Sequence, residues 1–262
     1  MKVVILAGGL GTRISEESHL RPKPMIEIGG KPILWHIMKN YSHFGFNDFV
    51  ICCGYKGHYI KEYFLNYFLY NSDITVELKN NKVDVHFANT ESFTVTLVDT
   101  GVNTNTAGRI QKIRKYVEGE TFMLTYGDGV SDVNINDLLA FHKSHGKLVT
   151  LTSVEFPGRF GTVETDADSI VNRFKEKSND KDIWINGGYF VIGPEMFNYF
   201  KEDMETIQWE KEPLEQIAKD HQLVAYKHHG FWKCMDAMRD KIELEQLWET
   251  NQAKWKTWEQ DA

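Results

Sequence analysis

The chain has 262 residues, a formal net charge of −7, 42% hydrophobic residues and 26% charged residues. That length and apolar content support a full core in one α/β domain with appendages or in two small domains, and they exclude a disordered chain. The acidic balance excludes a general nucleic-acid binder, which needs a basic face to displace counterions, so any nucleotide site must be a local concentration of positive groups.

Lys2 to Ala7 is a short β-branched run that stops at two glycines. It predicts a buried first strand feeding a loop. It is too short for a signal-peptide core or a spanning helix, so neither export nor a membrane anchor is expected. The loop that follows, Gly8-Gly9-Leu10-Gly11-Thr12-Arg13, falls at the carboxyl edge of a parallel sheet, where ligands dock. Glycines there let backbone N–H groups approach an anion, and Arg13 adds a positive fork, which predicts a phosphate cradle. Two commoner cradles fail. A dinucleotide G-x-G-x-x-G begun at Gly9 and Gly11 needs glycine where Ile14 stands, and a Walker loop needs Gly-Lys-Ser/Thr, whereas Gly30-Lys31 is followed by Pro32. Downstream, Lys23 sits between Pro22 and Pro24, which restrict the backbone and direct the ammonium. Taken singly, the glycines read as turn residues and the lysine as part of a solvated loop.

Ile33, Leu34, Ile37, Met38, Tyr41 and Phe44 recur at helical spacing behind Pro32, a first-turn residue. A second strand is expected at Asp48 to Gly54, then an amphipathic helix marked by Ile60, Tyr63, Phe64, Tyr67 and Phe68. This alternation predicts an α/β fold: a Rossmann-like, mostly parallel mixed sheet with helices on both faces. Ile74 to Leu78 and Val83 to Phe87 flank the turn Lys79-Asn80-Asn81-Lys82 and predict a small antiparallel insertion. A helix around Ala107 to Val117, a strand at Thr121 to Tyr126, a helix at Ile135 to His145 and a strand at Val149 to Phe156 follow. Phe160 to Glu164 and Ile170 to Phe174 are β-rich. A strand Tyr189 to Ile192, helices near Glu195 to Phe200 and Pro213 to Lys219, a strand Leu223 to Lys227 and a helix from Ala237 to Trp248 complete the chain. No repeat, low-complexity tract or Pro/Gly linker divides it, so residues 1–262 are expected to form a single domain.

Asp128 stands between Gly127 and Gly129 directly after the strand ending Met123-Leu124-Thr125, at the same carboxyl edge. A lone carboxylate is a poor magnesium site, because Mg²⁺ prefers an octahedral oxygen shell, so a second carboxylate is expected. The alternative for Asp128 is a plain turn residue. The three cysteines, with Cys52 and Cys53 adjacent and Cys234 distant, give neither a disulfide framework nor a zinc spacing, and reduced thiols in a cytoplasm are expected. The ten histidines also lack zinc spacing, and His228-His229 is expected on a solvated turn. Trp232, Trp248, Trp255 and Trp258 are read as core or subunit-contact residues before base-stacking ones.

The strand followed by Leu6-Ala7-Gly8-Gly9-Leu10-Gly11-Thr12-Arg13, with Pro22-Lys23-Pro24-Met25 after it, resembles the sugar-phosphate nucleotidyltransferases, also called nucleotide-sugar pyrophosphorylases. The similarity covers nearly the whole chain, through Gly29-Gly30-Lys31-Pro32, Cys52-Cys53-Gly54-Tyr55, Leu97-Val98-Asp99-Thr100-Gly101, Tyr126-Gly127-Asp128-Gly129, Asn186-Gly187-Gly188 and Gly230-Phe231-Trp232. Within the family it resembles the branch that uses CTP and glucose 1-phosphate. The resemblance implies a nucleotide-binding half of about residues 1–130 and a sugar-phosphate-binding half of about 131–262. It implies nucleotide contacts from Leu6, Ala7, Gly8, Gly9, Gly11, Thr12, Arg13, Lys23, Thr104, Arg109 and Gly127, with Arg13, Lys23 and Asp128 catalytic. From spacing alone, Thr104 and Arg109 read as a capped, solvated helix start. The resemblance supplies Asp236 as the second Mg²⁺ ligand beside Asp128, although an isolated Asp ahead of a helix is more often an N-cap. It gives Lys177 to the sugar phosphate, where Ser178 replaces the family's usual proline, and Asn186, Gly187 and Gly188 to the sugar. It also implies a homo-oligomer.

The chemistry expected is a direct in-line displacement. A sugar-1-phosphate oxygen is already anionic and needs no general base, so the protein has to position two anions and neutralise them. No nucleophile-elbow G-x-S-x-G occurs. Thymidylyl or uridylyl transfer is the alternative within the class, since cytosine differs from the other pyrimidines by one amine against one carbonyl. A non-catalytic nucleotide-sugar sensor is the alternative outside it, and it would be expected to lose one of Arg13, Lys23, Asp128 or Asp236.

Overall fold

The run Val3-Val4-Ile5 is buried on both sides, as a continuous β-branched segment in a covered sheet must be. Successive side chains point to opposite faces: Val3 and Ile5 enter one apolar cluster, and Val4 and Leu6 enter another. The computed structural model describes residues 1–88, 90–155, 162–165, 171–175 and 183–259. Seven strands form the central sheet: β1 (Lys2–Leu6), β2 (Asp48–Cys53), β3 (Thr94–Asp99), β4 (Phe122–Tyr126), β5 (Val149–Glu155), β6 (Trp184–Ile192) and β7 (Leu223–His228). They lie in the order β7-β5-β6-β4-β1-β2-β3. Every pairing is parallel except those of β6, which is antiparallel to both β4 and β5.

Helices cover both faces. Ile33–His43, Ile135–His145 and Met238–Glu249 give Ile37, Leu138 and Leu244 to the first cluster, while Thr106–Lys112 and Glu212–Lys219 give Ile110 and Ile217 to the second. Each such side chain, fully buried, stabilises the fold by roughly 1.5–3 kcal/mol. Asn40, buried on the first of these helices, donates to Thr257 in the terminal segment. Trp255 is buried, and Trp248 and Trp258 pack against the same cluster, so these three tryptophans are core.

The structure departs from the sequence-based elements in several places. Strand β3 was not among them: Thr94-Val95-Thr96-Leu97-Val98 continues the parallel sheet as its edge. The helix after Arg109 breaks at Ile113 into Thr106–Lys112 and Arg114–Val117. Asn186, Gly187 and Gly188 lie inside β6 rather than before it. His228 is not on a solvated turn but in β7, mostly buried, with Nε2 2.8 Å from Asp132 Oδ1.

The insertion is the antiparallel pair Ser72–Glu77 and Lys82–Ala88. It leaves Ile74, Val76 and Val83 exposed, beside Leu65 and Tyr70 of helix Gly57–Tyr70. Thr162–Thr165 and Val171–Lys175 form a second antiparallel pair, and Lys177 lies outside the described residues. Among the described residues no helix is long and apolar enough to cross a membrane.

Candidate active site

β1, β2, β3 and β4 are parallel neighbours, so their carboxyl ends bring four loops side by side: Ala7 to Gly11, Gly54 to Tyr55, Thr100 to Val102, and Gly127 to Asp128. This is the edge at which open α/β sheets bind ligands. Arg109 ties the loops together. Its buried guanidinium donates to Gly8 O at 2.8 Å, Thr100 Oγ1 at 2.6 Å and Gly101 O at 2.8 Å, with longer bonds to Cys53 O and Val102 O. A solvated helix start is therefore wrong for Arg109. Burial lowers its pKa, which the buried thiols and Asp99 oppose. Gly8 is glycine because a Cβ there would collide with that guanidinium. The Gly8 carbonyl also accepts from Tyr55 N at 3.1 Å, so this residue fastens the loop while its neighbours face the ligand space.

Two clefts open at this edge. The smaller, about 350 Å³, is lined by Leu6, Ala7, Gly9, Gly11, Thr12, Arg13, Lys23, Thr104, Arg109, Gly127 and Asp128 among others. Every expected nucleotide residue except Gly8 is on its wall. Thr104 is buried, and its hydroxyl donates to Glu205 at 2.8 Å while Lys112 donates to it at 3.0 Å. The larger, about 580 Å³, is lined by Asn186, Gly187 and Gly188 with Glu155, Tyr126, Trp232, Cys234 and Asp236. Asn186 is held on both ends, accepting from Gly188 N at 2.8 Å and donating to Tyr126 OH at 3.4 Å. Gly188 has φ of 80°, and a Cβ there would sit 2.6 Å from the Tyr126 ring. Trp232 Nε1 donates to Gly187 O at 2.7 Å, which fixes that indole as a wall.

Arg13, Tyr126 and Asp128 line both clefts, so the two spaces meet at the carboxylates. The chain brings Asp128 and Asp236 together by pairing Gly129–Ser131 antiparallel with Trp232–Cys234, with Gly129 opposite Cys234 and Met235 N donating to Asp128 O at 2.9 Å. Asp236 is not the N-cap of the last helix. Asp240 Oδ2 accepts from the N–H groups of Asp236 and Ala237, which satisfies that helix start and leaves the Asp236 carboxylate to the site.

Lys23, in the turn Lys23–Met25, places Nζ 2.7 Å from Asp128 Oδ2 and 2.7 Å from Asp236 Oδ1, and Arg13 pairs with the other Asp236 oxygen. Burial works against the Lys23 charge, but the field of Asp128 and the hydrogen bonds to both aspartates raise its pKa above the ordinary lysine value. Burial likewise works against ionised Asp236, and Lys23 and then Arg13 hold it below the usual carboxylate range. Ligand atoms of Asp128, Cys234 and Asp236 all lie within 4.8 Å of one another. Burial, then Asp128, pushes the Cys234 thiol up, which keeps it protonated and a poor ligand for a hard cation. Two converging carboxylates open to phosphate oxygens and water suit Mg²⁺. Cys234, Tyr126, Glu155 and Thr106 are among the wall residues that the sequence reading did not assign to the site. For Cys234 and Tyr126 the signal was adjacency to Asp236 and Asp128 in the motifs.

A family model described as nucleotidyl transferase matches residues 2–251. The chain belongs to the nucleotidyl transferase family. Within the family it is 53% identical over 260 residues to the glucose-1-phosphate cytidylyltransferase of Salmonella typhi, covering 99% of this chain and 100% of that one. It is 43% identical over 258 residues to a probable glucose-1-phosphate cytidylyltransferase of Bacillus subtilis, covering 98% and 100%. Among solved structures, HddC from Yersinia pseudotuberculosis matches with a TM-score of 0.67 at 23% identity, over 94% of this chain and 99% of that one. A UDP-glucose pyrophosphorylase complexed with UDP-glucose matches with a TM-score of 0.68 at 17% identity, over 95% and 98%. These two structures share the fold of this nucleotidyl transferase.

Proposed function

We propose that the chain transfers a cytidylyl group from CTP to α-D-glucose 1-phosphate, giving CDP-glucose and pyrophosphate. The observation that carries this reading is the meeting of two clefts at Arg13, Tyr126 and Asp128, with Lys23 and Asp236 at the same junction. Full-length identity to cytidylyltransferases supports the choice of base and sugar.

The triphosphate occupies the smaller cleft, where the loop from Leu6 to Thr12 supplies backbone donors and Arg13 and Lys23 supply charge. Thr104, Arg109 and Gly127 complete that wall. Glucose 1-phosphate occupies the larger cleft against Asn186, Gly187 and Gly188, and the family resemblance assigns Lys177 to its phosphate. An anionic oxygen of the sugar phosphate attacks the α-phosphorus, the bond from that phosphorus to the bridging oxygen breaks, and pyrophosphate leaves with the electron pair. Lys23 and Arg13 lower the repulsion between the two anions, and no proton has to move. Asp128 and Asp236 would hold Mg²⁺, which supplies charge neutralisation at the phosphates.

The single domain over residues 1–262 then divides in use between a nucleotide half, about 1–130, and a sugar-phosphate half, about 131–262. A homo-oligomer is the proposed assembly, supported by the apolar side chains exposed on the hairpin and on helix Gly57–Tyr70. The cytoplasm is the proposed compartment, supported by three free cysteines.

Pyrophosphate release with glucose 1-phosphate and Mg²⁺, measured across CTP, UTP, dTTP, ATP and GTP, tests the activity. Turnover with CTP well above the others is expected. Faster turnover with dTTP or UTP would move the assignment to those bases, and no release with any nucleotide would favour a sensor.

A further inference from the structure

Glu210 lines neither cleft, yet its carboxylate is held by a hydroxyl from the wall of each. Thr106 Oγ1, on the smaller cleft, donates to Glu210 Oε2 at 2.7 Å. Tyr126, a residue on the wall common to both, donates through its hydroxyl to Glu210 Oε1 at 2.6 Å. Thr106 Oγ1 in turn accepts from Trp209 N at 2.7 Å, so the segment carrying Glu210 is pinned to the start of helix Thr106–Lys112.

A phenol has one proton. With that proton given to Glu210, the Tyr126 oxygen can only accept from its other neighbours. Asn186 agrees with this polarity, since its amide nitrogen is the end turned toward Tyr126 and its amide oxygen is taken by Gly188 N. Burial, and then the Glu210 charge, raises the Tyr126 pKa, so the phenol keeps the proton it donates.

We propose that Glu210 is a positioning residue for the transfer reaction: by accepting from Thr106 and Tyr126 together it presents the Tyr126 oxygen to the sugar cleft as a fixed hydrogen-bond acceptor, which selects a sugar hydroxyl able to donate there. The proposal rests on the assignment of the larger cleft to the sugar phosphate. It makes Glu210 act on sugar binding without touching sugar.

The test is a double-mutant cycle with steady-state kinetics for both substrates. Glu210→Leu removes both acceptors at similar volume, and Tyr126→Phe removes the oriented oxygen. Glu210→Leu is expected to raise KM for glucose 1-phosphate about tenfold while KM for CTP changes less than about twofold. In the Tyr126→Phe background the same substitution is expected to add less than about twofold, because the group it orients is gone. Unchanged KM for the sugar phosphate, or equal increases in both KM values in both backgrounds, would overturn the proposal. Should Glu210→Leu fail to fold, Glu210→Asp, whose shorter carboxylate spans the two hydroxyls poorly, is read against the same cycle and the same two outcomes. Wild-type protein that releases no pyrophosphate from CTP and glucose 1-phosphate defeats the activity assignment instead, whereas wild-type turnover with a flat cycle defeats Glu210 alone.

Discussion

Lys23 donates to Asp128 across 2.7 Å, and the same ammonium reaches Asp236 at 2.7 Å, so one lysine counters both carboxylates at the meeting point of the clefts. Two carboxylates this close repel each other unless a cation stands between them. Lys23→Met therefore leaves a mutually repelling pair. Its kcat/KM is expected to fall at least about 100-fold, as for loss of a preorganised charge at a reacting phosphate. Its melting temperature is expected to rise more on Mg²⁺ addition than that of wild type, by differential scanning fluorimetry. Near-normal turnover in a folded Lys23→Met protein would remove Lys23 from the mechanism.

Asp128→Asn and Asp236→Asn each remove one hard ligand while keeping volume. Each is expected to weaken divalent binding at least about tenfold. Mn²⁺ binding followed by electron paramagnetic resonance reads this without turnover, and the Mg²⁺ dependence of pyrophosphate release reads it in the working enzyme. Asp236→Asn with unaltered Mn²⁺ affinity would leave Asp236 as a partner of Lys23 and Arg13 only.

Arg109 donates to carbonyls of the Gly8 loop, the Gly101 loop and Cys53 at the end of β2, so its loss removes a charged donor from all three at once. Arg109→Ala is expected to cost about 3 kcal/mol of unfolding free energy, measured by urea denaturation, and Arg109→Lys is expected to recover little because an ammonium lacks the planar fork. A stability within about 0.5 kcal/mol of wild type would mean that the loops hold without it.

His36 supplies a pH dependence. Its Nε2–H donates to Ile28 O at 2.8 Å amid Trp35, Trp248 and Trp255, and burial pushes its pKa down to about 4. The unfolded chain takes up the proton near the ordinary value of about 6.5, while the folded chain does not until about 4, so stability is full above pH 6.5 and is lost as pH falls toward 4. The shift is worth up to about 3 kcal/mol at pH 4. Urea midpoints compared between pH 7 and pH 5 are expected to fall less for His36→Gln than for wild type. Equal slopes in the two proteins would sink this origin.

Gly188 tests the sugar wall. Its φ of 80° and the Tyr126 ring beside it leave no room for a methyl group. Gly188→Ala is expected to raise KM for glucose 1-phosphate more than KM for CTP and to lower stability by about 1–3 kcal/mol. A change confined to KM for CTP would place the sugar elsewhere.

The sequence by itself determined the layered fold, because β-branched runs and helical apolar spacing are local signals: the run Val3 to Ile5 and the helix beginning at Ile33 can be read without knowing their neighbours. It also marked Lys23 and Asp128, since prolines and glycines around a charged residue signal a constrained, accessible backbone. Only the tertiary structure decided that Asp236 faces the site instead of capping a helix, because Ala237 stands at the N-cap and Asp240 accepts from its N–H. It alone turned Arg109 from a solvated start into the fastener of two loops and the end of β2, and it alone brought Glu210 behind Tyr126. Those roles depend on which distant strands pair, and pairing is set by burial over the whole sheet, which no local window of residues contains.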